Sequence, residues 1–247
     1  MGSREAGTEV VFGWSAVVMA RPLSATRGTA GSIDDVDCCS YDRQFNARHA
    51  ADDLREYRRN GPTGLTKALI EALSAGGIKG QSVLEIGGGV GAVHHELLRA
   101  GADGAVDVDA SRAYVSAARE ESERQGHADR VDYRVGDFVA LADVMEPADV
   151  VALDRVLCCY SDMSSLVARS AALAKGRYGV VYPRYNWFGR VAIALINIGK
   201  RVSGSPFRTY LHRTADVDAI LADHGLVKRL HRTTLIWQLA IYERPTA

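Results

Sequence analysis

The sequence predicts an α/β protein with a doubly wound, mostly parallel sheet in three layers, an antiparallel pair of strands at the C-terminal edge and an N-terminal helical cap. Three observations lead to this prediction. Short apolar segments alternate with helical segments between residues 82 and 182, a rhythm typical of βαβ units. Residues 149–153 are apolar almost throughout, as expected for a strand buried on both faces. Two strand-like segments at the end of the chain follow each other without a helix between them.

Two predicted helices precede the alternating region. Apolar residues at spacings of three and four predict a helix over Tyr41–Asn60, and leucines four apart predict another over Thr63–Ala75. The alternating region predicts strands at Ser82–Ile86, Gly104–Val108, Arg130–Val135, Asp149–Leu153 and Gly179–Tyr182, separated by helices at Ala92–Ala100, Ser111–Gln125, Phe138–Asp143 and Met163–Ala174. The last part predicts helices at Phe188–Lys200 and Ala215–His224, then strands at Val227–Arg232 and Leu235–Glu243.

Composition excludes several classes of protein. The chain has 247 residues, 47% of them hydrophobic, which is normal for a globular protein and fits one domain with additions. Thirty basic residues balance thirty acidic ones, so net charge gives no general reason to expect binding to nucleic acid or to an anionic membrane. The longest apolar runs are too short to span a bilayer. Four cysteines in two adjacent pairs do not form a secreted disulfide framework, so we expect a reducing, cytoplasmic location.

A glycine-rich loop is the most informative segment. The strand at Ser82–Ile86 runs into Gly87-Gly88-Gly89-Val90-Gly91, and glycines at a strand-to-helix turn let a ligand approach the backbone closely. The loop also satisfies the dinucleotide pattern G-x-G-x-x-[GA] through Gly87, Gly89 and Ala92. Alone, it does not choose between cofactor classes.

Glu85 favours one class of cofactor. It lies two residues before the first glycine, at the carboxyl end of the strand. Its carboxylate would repel a pyrophosphate and attract a cationic ligand. S-adenosylmethionine carries an ammonium and a sulfonium and no phosphate, and E-x-G-x-G-x-G, which here ends at Gly91, is its usual loop.

Acidic residues also end the following strands. Asp109 is placed to accept hydrogen bonds from two ribose hydroxyls, and Asp137 to accept one from an adenine amino group while Phe138 or a neighbour packs on the ring. Asp154 ends the fourth strand, and we group it with the cofactor-binding residues; the alternatives are an anchor for a polar substrate or a cap of the next helix. Ligands of open α/β sheets bind at the carboxyl ends of strands, so these markers reinforce one another.

This pattern resembles the class I S-adenosylmethionine-dependent methyltransferases over roughly residues 80–182 and the final strand pair. The resemblance implies methyl transfer from that cofactor to a small-molecule acceptor, with the cofactor bound by Glu85, Gly87, Gly89, Asp109 and Asp137. The C-terminal part is also similar to that of magnesium-protoporphyrin IX methyltransferases, through Tyr210-Leu211-His212, Ala215-Asp216-Val217 and Gly225.

Charge is unevenly distributed along the chain. Asp107–Asp154 holds 12 acidic and 5 basic residues, net −7, whereas Arg184–Arg232 holds 9 basic and 3 acidic, net +6. We therefore expect a cationic cofactor on the first part and an anionic acceptor under the second; the alternative is that these are solvated helix faces.

Residues after the fourth strand are expected to face the acceptor. Tyr160 is a candidate to orient an acceptor oxygen, and His212 is a candidate base; both also fit ordinary packing. The apolar helix at Phe188–Lys200, with Trp187 before it, is expected to be buried or to contact an apolar ligand, and to form a cap over the acceptor together with the helix that begins at Tyr41.

The cysteine pairs leave two interpretations open. Cys158 and Cys159 follow the fourth strand, so they lie at the mouth of the expected site, and Cys38 and Cys39 precede the first helix. Together they are a candidate site for a soft metal or metalloid, or a redox sensor. The other interpretation is that they are small buried hydrophobic residues.

These inferences divide the chain into a flexible tail, residues 1–35, and one domain, residues 36–247. Within the domain we expect a helical cap (36–79), a cofactor-binding core (80–182), a substrate-side insertion (183–214) and a C-terminal helix with edge strands (215–247). Two other functions stay open: a nicotinamide-dependent oxidoreductase, which Glu85 disfavours, and a non-catalytic cofactor-binding protein, since binding motifs do not prove chemistry.

Overall fold

The computed structural model describes residues 44–245. Its centre is one seven-stranded sheet with the order β3-β2-β1-β4-β5-β7-β6, in which the strands are Ser82–Ile86 (β1), Gly104–Asp109 (β2), Val131–Val135 (β3), Ala148–Asp154 (β4), Ala174–Pro183 (β5), Val227–Thr233 (β6) and Trp237–Glu243 (β7). Strands β1 to β5 are parallel. Strand β7 runs antiparallel to both β5 and β6, which confirms the predicted fold class and the antiparallel pair at the edge.

Eight α-helices accompany the sheet in the described part of the chain. In chain order they are Ala47–Asn60 (α1), Gly64–Ser74 (α2), Ala92–Arg99 (α3), Arg112–Gln125 (α4), Phe138–Leu141 (α5), Met163–Ala172 (α6), Trp187–Val202 (α7) and Thr214–Asp223 (α8). None of the helices within residues 44–245 combines the length and apolar character needed to cross a membrane.

The sheet buries both of its faces, which explains its apolar strands. On one face, Leu69 and Leu73 of α2 and Leu97 of α3 pack against alternate residues of β1, β4 and β7. On the other face, α6 and α8 pack through residues such as Leu166 and Leu221. This arrangement gives the predicted three layers.

Chain order reverses between β1 and β4, and this places the site. Strand β1 pairs with β2 on one side and β4 on the other, so the loops after β1 and β4 leave the sheet in opposite directions. A crevice at the carboxyl ends of such strands is the usual ligand position in doubly wound sheets.

Several element boundaries differ from those predicted, and three of the differences have a clear local reason. Helix α1 begins at Ala47 because the side chain of Asn46 accepts hydrogen bonds from the amides at its start; Tyr41 lies outside the described residues. Strand β5 begins five residues earlier than predicted, at Ala174, because its polar first half pairs with β4 and β7. Strand β7 begins at Trp237, since a turn from Thr234 precedes it.

The burial predicted for α7 is wrong. Glycine 189 is the one buried residue of this helix, and its large apolar side chains are mostly exposed. Helix α7 therefore packs against the domain along a narrow side and not through an apolar face.

Candidate functional site

The glycine-rich loop lies at the carboxyl end of β1 and turns sharply into α3. Gly87, Gly89 and Gly91 all have positive φ, between 59° and 79°, a region that side chains disfavour. A Cβ on Gly91 would lie 2.4 Å from the ring of His94, and one on Gly87 would lie 2.5 Å from Val156. The loop therefore needs glycine both for its backbone conformation and for its close packing.

Asp109 connects this loop to β2 and α4. Its Oδ2 accepts a hydrogen bond from the amide of Gly89 at 3.0 Å, and its Oδ1 accepts one from the amide of Ser111 at 2.7 Å. The sequence predicted that Asp109 lies at the end of β2, but it did not predict the hydrogen bond between Asp109 and the glycine-rich loop.

Glu85 points under the loop and not into the crevice. It is buried; its Oε2 accepts a hydrogen bond from the amide of His94 at 2.9 Å, and a second hydrogen bond of 2.6 Å joins this oxygen to Nδ1 of the His94 ring. Burial above all, together with the negative charges of Asp154 and Asp109, raises the pKa of Glu85 to about 8. Glu85 thus holds the first turn of α3 and places ionisable charge beneath the loop.

A second carboxyl group is buried next to Glu85. Asp107 is fully buried, and neither of its oxygens has a hydrogen-bond partner. The nearby amide of Gly88 lowers the pKa of this carboxyl group, but by less than the other effects raise it. Burial and the charge of Glu85 raise that pKa well above its usual range. Possible ligand atoms of Glu85, His94 and Asp107 lie within 4.8 Å of one another.

Two adjacent histidines line this buried region together. The ring centroids of His94 and His95 lie 4.2 Å apart, edge to face, although the two residues are adjacent on α3. His95 pairs with His127 at 2.9 Å. Burial lowers the pKa of His94 to about 3, so its imidazole is neutral beside Glu85.

Asp137 and Tyr160 form a hydrogen-bonded pair. The Tyr160 hydroxyl donates to both carboxylate oxygens of Asp137 at 2.9 Å, and Asp137 also accepts from the amide of Val139, capping α5. The hydroxyl expected to orient an acceptor therefore connects two loops in this structure. Phe138 is buried in the core beside them.

The turn after β4 is strained. Arg155 has a φ of +62°, the one positive φ at a non-glycine position within residues 44–245, and its amide donates to the carbonyl of Val181. Such outliers concentrate at functional sites. Asp154 accepts a hydrogen bond from Thr66 of α2 at 2.5 Å. It does not cap the next helix, because Asp162 does so.

Cys158 and Cys159 lie in a short 3₁₀ turn after Arg155, with their Sγ atoms 3.8 Å apart. Cys158 is buried and Cys159 partly exposed. The thiol of Cys159 and the positive charges of Lys200 and Arg155 lower the pKa of Cys158. Cys38 and Cys39 lie outside the described residues, so the four-cysteine site stays a prediction.

His212 holds this turn from the insertion side. Its Nε2 donates to the carbonyls of Leu157 and Tyr160, at 2.9 and 3.1 Å, and burial lowers its pKa. The amide of Tyr210 donates to the carbonyl of Cys158 at 2.7 Å. The sequence analysis named His212 but gave no sign of these contacts, since its partners are more than fifty residues away in the chain.

The edge of the site next to α7 contains residues that the sequence analysis missed. The amino group of Lys200 lies 3.9 Å from the ring centroid of Phe207 and donates to Thr209. Phe45, just before α1, packs edge-on against Phe207 with ring centroids 5.5 Å apart. By contrast Trp187, expected near the substrate, is 65% exposed at the far end of α7.

Comparisons with known proteins agree with this geometry. Residues 83–176 match the family described as a methyltransferase domain. No curated protein matches the sequence. Many solved structures share the fold. One is the magnesium protoporphyrin IX methyltransferase of Synechocystis PCC 6803 with bound S-adenosylmethionine, with a TM-score of 0.64, 21% identity, and coverage of 88% of this chain and 100% of that one.

Another is an O-methyltransferase family protein from Burkholderia thailandensis, with a TM-score of 0.63, 20% identity, and coverage of 83% of this chain and 62% of that chain. The domain match covers the glycine-rich loop and the carboxyl ends of β2, β3 and β4, and the sheet is doubly wound as predicted. Residues 83–176 thus carry a methyltransferase domain, and the chain has the Rossmann-like fold of these solved methyltransferases.

Proposed function

We propose that this protein transfers a methyl group from S-adenosylmethionine to a small apolar molecule that carries a negative charge. The observation that supports it best is the Gly89–Asp109 hydrogen bond, which joins the glycine-rich loop after β1 to the carboxyl end of β2. A cofactor with a ribose and a cationic tail fits an opening lined by carboxylates and loop amides.

Each cofactor-binding residue has a proposed role. Gly87, Gly89 and Gly91 let the loop backbone approach the cofactor, and Asp109 accepts from the ribose hydroxyls. Asp137 and Phe138 lie on the adenine side. Glu85 acts from beneath the loop through its charge, and Asp154 adds negative charge at the end of β4.

The acceptor side consists of the turn after β4 and the insertion. Methyl transfer from a sulfonium is an in-line displacement in which the protein mainly positions the acceptor and excludes water. Cys158, Cys159 and Tyr160 lie in the turn that faces this reaction. Lys200 supplies positive charge for an anionic acceptor. His212 donates through Nε2, so its Nδ1 is left as the ring atom that can take a proton from an acceptor.

Calorimetry tests the cofactor half. Asp109→Ala removes both amide bonds and the ribose acceptor, so we expect a loss of about 2–4 kcal/mol in S-adenosylhomocysteine affinity, or about 30- to 1,000-fold. Asp103→Ala is the matched control, because Asp103 is exposed just before the opposite end of the same strand. Unchanged affinity in a folded Asp109→Ala variant would contradict the assignment, as would saturable NAD binding without a response to S-adenosylhomocysteine.

Release of S-adenosylhomocysteine tests the acceptor half. Acceptors that pair an apolar body with a carboxylate should be turned over best, and the shared fold with the porphyrin methyltransferase makes porphyrin carboxylates one group to include. Lys200→Gln should raise the KM for anionic acceptors more than for neutral ones. A protein that binds the cofactor but turns over no acceptor would favour the non-catalytic alternative.

A further inference from the structure

Helix α7 has an exposed apolar stripe that runs its whole length. Seven of the eleven exposed large hydrophobic residues within residues 44–245 fall between Tyr185 and Val202. At about 100° per residue, five of them lie within an arc of about 80°: Trp187, Val191, Leu195, Ile198 and Val202. Their exposed fractions range from 50% to 84%. An apolar patch of this extent on a solvent-exposed face is typical of an interaction surface.

The opposite side of the helix fastens it to the domain. Gly189 is buried against the carbonyl of Arg184, and Asn197 exchanges two hydrogen bonds with the backbone of Thr209, at 2.8 and 2.9 Å. Lys200 donates to the Thr209 side chain. These contacts determine which side of α7 faces the domain, so the apolar stripe on the other side faces solvent.

The charges around the stripe are of one sign. Residues 184–213 contain six basic residues and no acidic one. Arg190 and Arg201 are exposed and lie about 40–60° from the edge of the stripe on the helical projection. An apolar stripe with aromatic residues at one end and arginines alongside is typical of helices that lie in a membrane interface.

We propose that α7 docks this domain on an anionic lipid surface, with the stripe entering the boundary between headgroups and acyl chains. Charge complementarity selects this partner. A symmetric contact between two copies would bring the arginines of both α7 helices together without an acidic residue from this segment to neutralise them. The arginines beside the stripe would be attracted to the phosphates of anionic lipids.

Docking in this way would place the acceptor side close to the lipid. Lys200, on the inner side of the same helix, is the residue whose charge acts on Cys158 and Cys159. An apolar acceptor dissolved in the bilayer would thus reach the site along α7 without crossing water. The inference does not depend on the acceptor's identity, because it concerns the outer face of the helix.

Vesicle flotation of the full-length protein tests the proposal. We expect about tenfold stronger partition to equimolar phosphatidylglycerol–phosphatidylcholine vesicles than to phosphatidylcholine alone, and weaker binding at high salt because exposed charges are screened. Leu195→Asp should lower partition about tenfold or more. Val144→Asp is the matched control, since Val144 is equally exposed, at 68% against 63% for Leu195, but lies away from α7. Arg190→Glu should reduce the preference for anionic vesicles.

Several results would overturn the proposal. These are no partition to anionic vesicles, equal partition of wild type and Leu195→Asp, or equal binding to neutral vesicles. A dimer in sedimentation velocity that Leu195→Asp dissociates would assign the stripe to a second copy of the chain. Calorimetry with S-adenosylhomocysteine on each variant reports the fold and the cofactor site, so a failure of docking is distinguishable from a failure of the proposed function.

Discussion

Glu85→Gln tests how the buried carboxyl groups act on the cofactor. In the ligand-free protein Glu85 has a pKa of about 8, mainly because it is buried, so it is largely protonated at pH 7. A bound cation favours the ionised form. Binding of S-adenosylmethionine should therefore lower this pKa and release a proton, and the affinity for it should rise as the pH rises toward 8.

The size of the effect follows from the pKa. If only the ionised form binds the sulfonium, affinity at pH 7 is lower than its high-pH limit by about 1 + 10^(8−7), or about 11-fold, and at pH 6 by about 100-fold. These factors are upper limits, because the protonated form also binds. The same raised pKa affects folding in the opposite sense: the ligand-free protein should lose stability as the pH rises from about 4.5, the ordinary value, to about 8.

The groups around Glu85 define what else titrates. His94 stays neutral across this range, since its pKa is about 3. Burial also raises the pKa of Asp107, and the charge of Glu85 raises it further. The midpoint of the pH dependence of cofactor affinity therefore belongs to the pair of carboxyl groups and not to Glu85 alone. Removing the charge of Glu85 should lower the pKa of Asp107 and leave a smaller pH effect.

Calorimetry with two ligands isolates the sulfonium. S-adenosylmethionine and S-adenosylhomocysteine share the titrating amino group, so the ratio of their affinities reports the charge on sulfur alone. We expect this ratio to rise between pH 6 and 8.5 in the wild type and in Asp103→Asn, and to be nearly flat in Glu85→Gln. A flat ratio in the wild type, or an unchanged slope in Glu85→Gln, would refute the reasoning.

Three further predictions concern the loop and the acceptor turn. Gly91→Ala combines a positive φ with a severe clash, whereas Gly204→Ala has a positive φ and open space, so Gly91→Ala should lower the free energy of unfolding by at least about 1 kcal/mol more in urea titrations. His212→Gln keeps a donor for the two carbonyls but removes the proton-accepting nitrogen; we expect unchanged cofactor affinity and about 100-fold slower turnover, and unchanged turnover would limit His212 to holding the turn. Cys159→Ala removes the thiol that lowers the pKa of Cys158, so the midpoint of pH-dependent iodoacetamide labelling should move up when the other two cysteines are serine; an unmoved midpoint would contradict the coupling.

Much of the cofactor half could be predicted from the sequence because its signals are local. The glycine-rich loop follows β1, Asp109 ends β2 and Asp137 lies two residues after β3, and parallel strands bring their carboxyl ends to one edge. What the sequence could not indicate was the partner of each side chain. Tyr160 binds Asp137 across 23 residues and Thr66 binds Asp154 across 88, and only the folded sheet brings these loops together.

The burial predicted for α7 was wrong, while its contact with an apolar ligand stays a prediction, because the number of apolar residues does not show which face of a helix is covered. A helix that is buried and a helix whose apolar stripe faces outward have the same composition, and periodicity gives the stripe but not its direction. Asn197 determines which side of α7 faces the domain, because its side chain makes two hydrogen bonds with the backbone of Thr209. These bonds depend on the path of the chain after the helix. The absence of acidic residues from 184–213 was the available signal, and it pointed to the surface and not to the core.

The two halves of the site are held by different parts of the chain, and this has a consequence for function. The glycine-rich loop is fixed by β2 and by the buried carboxyl groups under α3, all within residues 80–182. The acceptor turn is held from within that core through Tyr160 and Arg155, and also from outside it. His212 and the amide of Tyr210 hold it from the insertion, and the neighbouring Thr209 is hydrogen-bonded to α7. Thr209, which α7 contacts, is therefore the direct neighbour of Tyr210, whose amide binds the carbonyl of Cys158. We therefore expect that a substitution in the insertion can alter the position of the acceptor without changing cofactor affinity. A substitution in the glycine-rich loop is expected to lower cofactor affinity directly.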